Sequence, residues 1–376
     1  MNSLRILGIR GIPAAHGGFE TFAERMACHL VQRAWRVTVY CQEEGKGPVM
    51  ESEWQGVRRV HIPVAATGPA ATVIFDLRAT LHAASHGEPC LTLGYNTAVF
   101  CAALRMSKVP NIINMDGIEW RREKWGRMAR AWLWLNERAG AKFGNHLVAD
   151  HPEIAKHLMQ LVRSEKITTI PYGADRLENM PAQPLHHLGL EPGRYLTLVA
   201  RPEPENTVLE AVQGFSARPR NFKLAVLGAY APGNAYHQAV RGAASSEVLF
   251  LGALYDRPLV QALRYHCAAY VHGHRVGGTN PSLVEALGAG NAVIAHNNAF
   301  NRWVAGEAAC YFEDQDSAAH VFDTLLDDAA RLGSMRTAAL RRHEEAFTWP
   351  AVLAAYEALL LQQFGHELQR TPGAVS

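Results

Sequence analysis

Short apolar runs alternate with amphipathic stretches along the first part of the chain. The run LRILGI at 4–9 is followed by an amphipathic stretch at 19–33 and by RVTVYC at 36–41. An apolar run, a segment of helical period and a second apolar run predict a parallel β-α-β unit. Further strand-like runs begin at Pro89, Asn111 and Asn145, and a long helical stretch begins near Lys124.

The same alternation restarts after the polar, proline-containing segment 175–192. Strand-like runs of this second series begin at Arg194, Phe222, Glu247, Ala268 and Asn291. The two series predict an α/β protein with two Rossmann-like, doubly wound parallel-sheet domains that face each other across a cleft. We expect the first domain at 1–172 and the second at 173–350. The pattern leaves open whether the final helical segment, 351–376, packs on the second domain or crosses back to the first.

Composition fits this organisation. The chain has 376 residues, of which 48% are hydrophobic and 19% charged, as in soluble proteins of two domains. It contains no run of about 18 apolar residues, the length that spans a bilayer, and its start has no signal-peptide layout, so we expect a cytoplasmic protein. Six cysteines without C-x-x-C spacing predict buried free thiols and no metal site. A net charge of +2 does not indicate a nucleic-acid partner.

A glycine pair, Gly17 and Gly18, directly precedes the first predicted helix. Helix N-termini carry unpaired N–H groups and partial positive charge, so glycines there allow a phosphate to approach the backbone. The alternative is a tight turn that needs a positive φ. The spacing of these glycines does not fit the G-x-G-x-x-G fingerprint, so the motif gives little support for an NAD site.

A second glycine cluster lies in the other predicted domain and comprises Gly277, Gly278, Thr279, Asn280, Pro281 and Ser282. A predicted helix starts at Leu283, and the free N–H groups of Ser282 and Leu283 are candidates to bind a phosphate. Glu285 lies one turn inside this helix. Its carboxylate either complements the helix dipole or accepts two hydrogen bonds from a ribose diol.

Arg201 follows a predicted strand in the sequence ARPEPEN. The planar guanidinium of an arginine at this position suits a diphosphate, because it offers a fork of donors at the carboxyl end of a strand. The alternative is a surface salt bridge to Glu203 or Glu205. Two glycine turns and this arginine together favour an anion site more strongly than any one of them.

Two acids, Asp116 and Glu119, follow the predicted strand NIIN. Open α/β sheets bind ligands at this end of their strands, where acids orient sugar hydroxyls or accept a proton. A helix-capping role for Asp116 is the competing interpretation.

The segment 119–143 mixes tryptophan with basic residues. It contains Trp120, Trp125, Trp132 and Trp134 among Arg121, Arg122, Lys124, Arg127 and Arg130. This composition suits the surface of an anionic membrane, where indole rings lie at headgroup level. The alternative is a helix that buries its tryptophans in the domain core beneath a solvated basic face.

Several motifs in order give the chain a family resemblance. They are GIRGIPAAHGGFETFAE, GYNTAVF, NMDGIEWRREKW, IPYGAD, RPEPEN and GGTNPSLVEALGAGNAVIAH. Over nearly its whole length the chain resembles bacterial glycosyltransferases of family 4, which have the GT-B fold. More narrowly, it resembles a subgroup that includes rhamnosyltransferases of capsule and exopolysaccharide synthesis.

The resemblance implies a nucleotide sugar in the cleft, held mostly by the second domain. Glu285 would bind the ribose, the N–H groups of Ser282 and Leu283 the phosphates, and residues 278–280 the sugar, with Gly18 touching the diphosphate. The full set of implied donor contacts is Gly17, Gly18, Asn206, Gly277, Gly278, Thr279, Asn280, Pro281, Ser282, Leu283 and Glu285.

The resemblance also implies a retaining transfer that needs no metal and no protein nucleophile, so that catalysis is orientation and charge stabilisation. We expect Asp116, Glu119, Arg201 and Arg275 to be catalytic. We expect Phe19, Glu20, Tyr95 and Asn96 to contact the acceptor, a saccharide linked to polyprenyl diphosphate. We expect the donor to be dTDP-rhamnose, a UDP-sugar or a GDP-sugar.

The chain departs from the family pattern at two positions. An acid of the family is replaced by Gly277, and a lysine is replaced by Asn206. The first change is consistent with a different sugar, such as a deoxyhexose, and we hypothesise that Arg275 supplies the missing cation. Two other functions remain open: a GT-B sugar-nucleotide epimerase, or a protein that binds a nucleotide sugar without catalysis.

Overall fold

The computed structural model describes residues 2–15 and 17–368, with side chains as far as residue 365. The last residues of the predicted C-terminal segment, 369–376, lie outside the described residues. The chain forms two compact units. The first unit contains residues up to 121, 125–171 and those from 350 onward, and the second contains 122–124 and 172–349.

The strands of the first unit form an eight-stranded sheet in the order β3-β4-β2-β1-β5-β6-β7-β8. They are β1 (Ser3–Leu7), β2 (Arg36–Glu44), β3 (Met50–Trp54), β4 (Val57–Val64), β5 (Cys90–Leu93), β6 (Asn111–Asn114), β7 (His146–Ala149) and β8 (Ile167–Thr169). The predicted β-α-β unit is confirmed, because β1 and β2 are parallel with Ser3 opposite Arg36. The edge pair β3 and β4 is antiparallel.

The strands of the second unit form a six-stranded parallel sheet in the order β11-β10-β9-β12-β13-β14. They are β9 (Tyr195–Val199), β10 (Lys223–Leu227), β11 (Val248–Gly252), β12 (Ala269–His272), β13 (Ala292–His296) and β14 (Ala309–Phe312). The prediction of two doubly wound, mainly parallel sheets is therefore confirmed.

Helices connect these strands. They are α1 (Gly18–Gln32), α2 (Gly68–His86), α3 (Cys101–Met106), α4 (Arg127–Phe143), α5 (Pro152–Leu158), α6 (Gln183–His186), α7 (Val208–Ser216), α8 (Ala235–Gly242), α9 (Arg257–His266), α10 (Pro281–Gly288), α11 (Ala299–Ala305), α12 (Gln315–Leu325), α13 (Ala329–Ala346) and α14 (Trp349–Leu368). In α1, Phe22, Met26 and Leu30 recur every four residues and are buried, so one face of the helix packs on the core.

The strand order defines one switch point in each sheet. In the first unit the chain moves outward through β2 and returns to β5 on the other side of β1. In the second unit it moves outward from β9 to β10 and β11 and returns to β12 on the other side of β9. Loops diverge at such a point, and the crevice beyond the carboxyl ends of the strands is where open α/β sheets bind ligands.

The C-terminal helix α14 packs on the first unit. Its Tyr356 is buried against Phe22 of α1, with ring centroids 4.6 Å apart. Its Glu357 accepts hydrogen bonds from His29 at 2.9 Å and from Arg33 at 3.0 Å. These contacts answer the question that the sequence left open, because the final helix crosses back to the first unit.

Candidate functional site

The carboxyl ends of β1, β5 and β6 form the first candidate site. Gly8, after β1, has a φ of +84°, and a Cβ there would overlap the carbonyl oxygen of Leu93 at the end of β5. Only glycine permits this close approach. Phe19 of α1 lies against Gly94, because a Cβ added to Gly94 would be 3.5 Å from Phe19 Cε2. The start of α1 and the loop after β5 are therefore neighbours at the switch point.

The glycine pair occupies the N-terminus of α1. Gly17 is the N-cap residue and provides no side-chain capping bond. Its φ of 165° is extended backbone, so the interpretation as a tight turn with positive φ is wrong at this position. The nearest group to a Cβ on Gly17 would be Glu20 Oε2, at 3.3 Å. The backbone conformation at 17 therefore does not require glycine. The effect of glycine there is to leave space in front of the helix.

Asp116 is held in an unusual conformation at the end of β6. Its φ is +52°, a left-handed value that costs a non-glycine residue about 1 kcal/mol or more. Asn114 Oδ1 accepts the Asp116 N–H at 2.9 Å, and Asn114 Nδ2 donates to the buried Tyr356 hydroxyl at 2.7 Å. The next helical turn begins at Glu119, so Asp116 does not occupy an N-cap position. The C-terminal helix thus supports the backbone that presents Asp116.

The Tyr95 side chain is buried and holds Glu119 in place. It is only 1% exposed, and its hydroxyl accepts the N–H of Glu119 at 2.8 Å. Glu119 is itself 9% exposed and accepts a hydrogen bond from Trp125 Nε1 at 3.4 Å. The expectation that Tyr95 touches an acceptor directly is corrected here, since the side chain instead fixes Glu119. Asn96 is exposed, and Phe19 and Glu20 are partly exposed.

Replacing Tyr356 with phenylalanine tests this support. The change leaves Asn114 Nδ2 unpaired in the core, so we expect the free energy of unfolding to fall by about 1 to 2 kcal/mol. In an assay of the sugar transfer that the family resemblance implies, turnover should fall several-fold with nucleotide affinity unchanged, because Asp116 loses its fixed backbone. Tyr40→Phe is the matched control, since the Tyr40 hydroxyl is bonded to Arg5 at 2.9 Å away from this site. Equal turnover in the two variants would contradict the assignment.

The second candidate site lies at the switch point between β9 and β12. Hydrogen bonds join the loops that follow these two strands. Arg275 N donates to Glu205 O at 3.0 Å, and Thr207 Oγ1 donates to Gly273 O at 2.6 Å. A Cβ on Gly273 would overlap the carbonyl oxygen of Asn206, so only glycine fits this crossing. The RPEPEN and HGHRVGG segments therefore form one rigid edge.

Arg201 stands at this edge without an acidic partner. The side chain is exposed, and within the described part of the chain no carboxylate lies within salt-bridge distance. The predicted alternative, a salt bridge to Glu205, is wrong because Glu205 is 2% exposed and bonds Arg122 Nε at 2.6 Å. Its second oxygen accepts the Glu123 N–H at 3.0 Å. Arg201 is thus left available for an anion.

Arg275 and Asn206 have different roles in the same loops. The Arg275 side chain is exposed, donates to Pro204 O at 3.3 Å and has no carboxylate partner among the described residues. Asn206 is 1% exposed, and its Nδ2 donates to Arg201 O at 2.8 Å. Asn206 therefore fixes the loop that carries Arg201, which corrects its assignment as a direct donor contact.

Two histidines that the sequence analysis did not single out lie beneath these arginines. The rings of His272 and His274 are stacked with centroids 4.4 Å apart. Burial lowers the pKa of His272, and burial with nearby Arg122 and Arg201 lowers the pKa of His274 to about 3. Both rings are therefore neutral near pH 7. Both His272 nitrogens and His274 Nδ1 are buried without a hydrogen-bond partner.

The loop that leads into α10 carries the predicted glycine cluster. Gly277 has a φ of +132°, and a Cβ there would lie 3.0 Å from Asn280 Oδ1. Gly278 and Thr279 are buried, whereas Asn280 is partly exposed. Asn280 is the N-cap of α10 and provides no side-chain capping bond. The loop therefore ends in an open helix N-terminus.

The two backbone N–H groups proposed for phosphate binding differ. Leu283 N donates to Asn280 O at 3.0 Å, so the expectation that it is free is wrong. Ser282 N makes no such backbone bond in the described chain. The preceding residue, Pro281, is in the first turn and has no N–H. One backbone donor, from Ser282, remains at this terminus.

Glu285 is held in place by a buried arginine. Arg264 Nη2 bonds Glu285 Oε2 at 2.6 Å, and the two side chains are 9% and 38% exposed. One carboxylate oxygen is thus occupied, and Oε1 remains for a hydroxyl group. This ion pair explains the carboxylate better than the helix dipole alone, because it fixes the side chain against a buried arginine.

Glycine at 277 is required by the backbone. We expect Gly277→Glu, which restores the family acid, to lower the free energy of unfolding by about 1 kcal/mol or more, since φ is positive and Asn280 is close. The variant should not gain activity. Melting temperature and turnover check this, with Gly333→Glu as the control, because Gly333 is exposed on α13 and has open space for a side chain. A stable, more active Gly277→Glu variant would show that the loop adapts.

The tryptophans of segment 119–143 fall into two groups. One group is exposed, as a membrane surface would need, and the other is partly buried, as in a helix that packs on the core. Trp132 and Trp134 of α4 are 37% and 43% exposed, whereas Trp120 and Trp125 are partly buried. The Trp134 ring stacks under Arg138 at 3.5 Å. Arg122 does not belong to an exposed basic face, because its side chain is 13% exposed and paired with Glu205.

The described residues also bear on metal, disulfide and membrane chemistry. No group of three His, Cys, Asp or Glu side chains is arranged to hold a metal ion there. All six cysteines are free thiols, and five of them are buried. Among the same residues, no helix is both long enough and apolar enough to cross a bilayer.

The arrangement of the two sheets defines the class of fold. Two doubly wound α/β domains of this topology constitute the GT-B fold of glycosyltransferase structures. A domain of unknown function (DUF1972) matches residues 1–175 of the 376. No curated protein matches the sequence significantly.

Three solved structures illustrate the likeness. Sucrose-phosphate synthase from Thermosynechococcus elongatus is 16% identical with a TM-score of 0.80, over 98% of this chain and 100% of that one. HepE from Anabaena in complex with UDP and glucose is 15% identical with a TM-score of 0.75, over 96% and 99%. A UDP-forming trehalose-phosphate synthase from Burkholderia xenovorans with glucose-6-phosphate is 12% identical with a TM-score of 0.72, over 96% and 100%. These identities establish the fold alone.

Proposed function

We propose that the protein is a glycosyltransferase that moves a hexosyl or deoxyhexosyl group from a nucleotide sugar to a saccharide. The observation that carries the proposal is the edge between β9 and β12. Among the described residues, Arg201 and Arg275 have no acidic partner there, Ser282 offers a backbone N–H and Glu285 keeps one free oxygen. A diphosphate with a ribose attached is the ligand that uses two guanidinium forks, an amide and a carboxylate together.

In the proposed reaction the second unit holds the donor. Glu285 Oε1 accepts the ribose hydroxyl, and Arg201, Arg275 and the Ser282 N–H bind the diphosphate. The bond between the anomeric carbon and the diphosphate oxygen breaks, and the acceptor oxygen bonds to the same face of the sugar. Because the new bond forms on the face that the leaving group occupied, the transfer is retaining. The acceptor proton moves to the leaving diphosphate, and neither a metal nor a protein nucleophile takes part. The two arginines stabilise the charge that develops on the leaving group.

The first unit takes the acceptor in this proposal. Its switch point presents Phe19, Glu20 and Asn96 at the surface, with Asp116 and Glu119 on the neighbouring loop. The two acids orient acceptor hydroxyls.

The loop before α10 supports the choice of sugar in this proposal. Since Gly277 supplies no carboxylate, the donor sugar loses a hydrogen-bond acceptor that family 4 enzymes commonly provide. A deoxyhexose such as rhamnose fits this loss, and the chain then belongs with the rhamnosyltransferases of bacterial surface polysaccharide synthesis. His272 at the end of β12 and His274 in the loop that follows have unpaired nitrogens, which favour neutral hydrogen bonding there.

The acceptor in this proposal is linked to polyprenyl diphosphate, and the enzyme rests on the inner face of the plasma membrane. Helix α4 supports this, because Met128 is 89% exposed and Leu135 is 48% exposed beside Trp134. Arg127 and Arg138 flank this apolar group. Exposed tryptophan and arginine on one helix are typical of binding at an anionic membrane surface.

A two-part experiment tests the function. Thermal shifts are measured with dTDP, UDP, GDP and their sugars, since a ligand at a hundred times its Kd stabilises by about 2.7 kcal/mol. Sugar transfer is then measured with and without a saccharide acceptor, using the nucleotide sugar that binds. We expect transfer only with acceptor. Epimerised donor without acceptor, or binding without any product, would replace the proposal by an epimerase or a binding protein respectively.

A further inference from the structure

A column of three rings stands at the carboxyl end of β12 in the second unit. Tyr270, His272 and His274 are alternate residues, so their side chains point to the same face of the extended chain. The ring centroids of Tyr270 and His272 are 6.1 Å apart, and the two imidazoles are 4.4 Å apart with their planes only 10° from parallel. Tyr270 and His272 are buried, whereas His274 is partly exposed. His274 is therefore the outer end of the column.

The backbone that carries His274 is fixed from two sides. Its carbonyl oxygen accepts hydrogen bonds from Asn298 Nδ2 at 3.0 Å and from Asn301 Nδ2 at 2.9 Å, both at the start of α11. On the other side, Thr207 Oγ1 donates to Gly273 O at 2.6 Å. Because these bonds and the ring stack already restrain the residue, the His274 side chain loses little conformational freedom when a ligand binds.

Packing does not explain why the two outer rings are imidazoles. Both His272 nitrogens and His274 Nδ1 are buried without a hydrogen-bond partner. A phenyl ring stacks in the same way and has no polar atom to desolvate, whereas each unpaired buried nitrogen costs free energy. An imidazole at 274 is therefore better explained by a hydrogen bond that its remaining nitrogen makes to a ligand.

That remaining nitrogen, Nε2 of His274, is a neutral donor. It makes no hydrogen bond within the described chain and is not among the buried unpaired atoms there. The ring is uncharged near pH 7, because burial and the positive charges of Arg122 and Arg201 lower its pKa to about 3. We assign the single ring proton to Nε2, since a proton on Nδ1 would be a buried N–H without an acceptor, which folded proteins rarely contain. His274 thus presents one N–H to a ligand.

The charges around His274 favour an anionic acceptor for this N–H. Arg275 is the next residue and Arg201 lies on the neighbouring loop, and neither has a carboxylate partner among the described residues. Arg275 N donates to Glu205 O at 3.0 Å and Asn206 Nδ2 to Arg201 O at 2.8 Å, so one framework holds both arginines and His274. The Glu205 carboxylate does not oppose their charge, because it is already in an ion pair.

We propose that His274 donates a hydrogen bond from Nε2 to a phosphate oxygen of the leaving diphosphate, as a third side-chain donor beside Arg201 and Arg275. The inference rests on the proposed function, because this diphosphate is that of the nucleotide sugar. Hydrogen bonds to a charged acceptor are stronger than those between neutral groups, and this one strengthens as charge develops on the leaving group. His274 therefore contributes to donor binding and to bond breaking without a charge of its own.

Three substitutions at 274 test the assigned nitrogen. His274→Phe keeps the ring stack without any N–H, His274→Gln places an amide N–H near the Nε2 position, and His274→Asn places one near the Nδ1 position. Binding is measured by calorimetry on the full chain, with inorganic pyrophosphate, dTDP, UDP and GDP as probes. We expect the phenylalanine and asparagine variants to bind pyrophosphate about tenfold more weakly or worse, and the glutamine variant to stay within about threefold of the parent protein.

His320→Phe is the matched control, because His320 is an exposed histidine on α12. Parent-like pyrophosphate binding by His274→Phe would overturn the inference. Equal weakening by all three variants at 274 would also overturn it, because ring packing and not the Nε2–H would then support the site. A loss confined to the nucleotide sugar, with pyrophosphate binding unchanged, would place the contact on the sugar and overturn the inference as well.

The pH dependence of binding checks that the donor is uncharged. The ratio of the pyrophosphate affinities of the parent protein and His274→Phe should stay constant between about pH 6 and pH 8, because a neutral ring does not titrate there. A ratio that rises on acidification would identify a charged imidazolium as the ligand and contradict the assignment.

The inference and the proposed function fail in different ways. If the parent protein transfers sugar and His274→Phe binds pyrophosphate and transfers sugar equally well, the role of His274 is wrong and the transferase proposal stands. If His274→Phe loses pyrophosphate selectively but no acceptor yields a product, the anion contact stands and the transferase proposal is wrong. If the parent protein binds neither pyrophosphate nor any of the three diphosphates, both are wrong.

Discussion

Removing the side chain of Arg201 or Arg275 should lower kcat for sugar transfer by about ten- to a hundredfold each, because in the proposed reaction both side chains make charge-assisted bonds to the leaving diphosphate. Both side chains are exposed and lack acidic partners in the described chain, so Arg201→Ala and Arg275→Ala should fold normally. The double variant should lose more activity than either single one. Steady-state kinetics with varied donor measure the effect.

The same variants separate diphosphate binding from a general loss of affinity. We expect each variant to weaken nucleoside diphosphate and to leave the affinity for the unphosphorylated nucleoside unchanged. Arg218→Ala is the control, because Arg218 is 56% exposed and its partner Asp323 also pairs with Arg220. Wild-type turnover by Arg275→Ala would refute the idea that this arginine supplies the cation missing at Asn206.

Much of the fold could be predicted because parallel strands buried on both faces appear as apolar runs. The run CLTL of β5 is buried at all four positions, and so is NIIN of β6. The hairpin of β3 and β4 escaped prediction for the opposite reason. β3, with the sequence MESEW, lies at the edge of the sheet and is largely exposed, so it has no apolar run. The turn residues Gln55 and Gly56, both with positive φ, were its signal.

The sequence predicted where the candidate sites lie in the fold, but it did not predict which side chains pair with each other there. Glycine turns and strand ends located both switch points, since topology places ligands there. Sequence spacing could not show that Arg264 on α9 pairs with Glu285 on α10, because the two residues meet only after the second sheet folds. The pairing of Arg122 with Glu205 was hidden in the same way, and Arg122 instead suggested a membrane-facing charge.

Replacing Glu285 with alanine should reduce both stability and nucleotide affinity, through two separable causes. The change leaves Arg264 unpaired at 9% exposure. Breaking a fully buried pair costs about 3 to 5 kcal/mol, and since Glu285 is 38% exposed we expect about 1 to 3 kcal/mol here. Loss of the ribose bonds should weaken nucleoside diphosphate by about tenfold or more. Denaturant unfolding and calorimetry measure the two effects.

A second substitution distinguishes the two causes. In Arg264→Met/Glu285→Leu no charge is left unpaired, so the free energy of unfolding should recover most of the loss, because apolar replacements of an ion pair are often neutral. The affinity for nucleoside diphosphate should stay as low as in Glu285→Ala, since the ribose still lacks its carboxylate. If affinity recovers together with stability, the weak binding of Glu285→Ala came from the unpaired Arg264 and not from a lost ribose contact. The ribose-binding role of Glu285 would then be wrong. If Glu285→Ala binds nucleotide like the parent protein, the donor site must be sought elsewhere on the second unit.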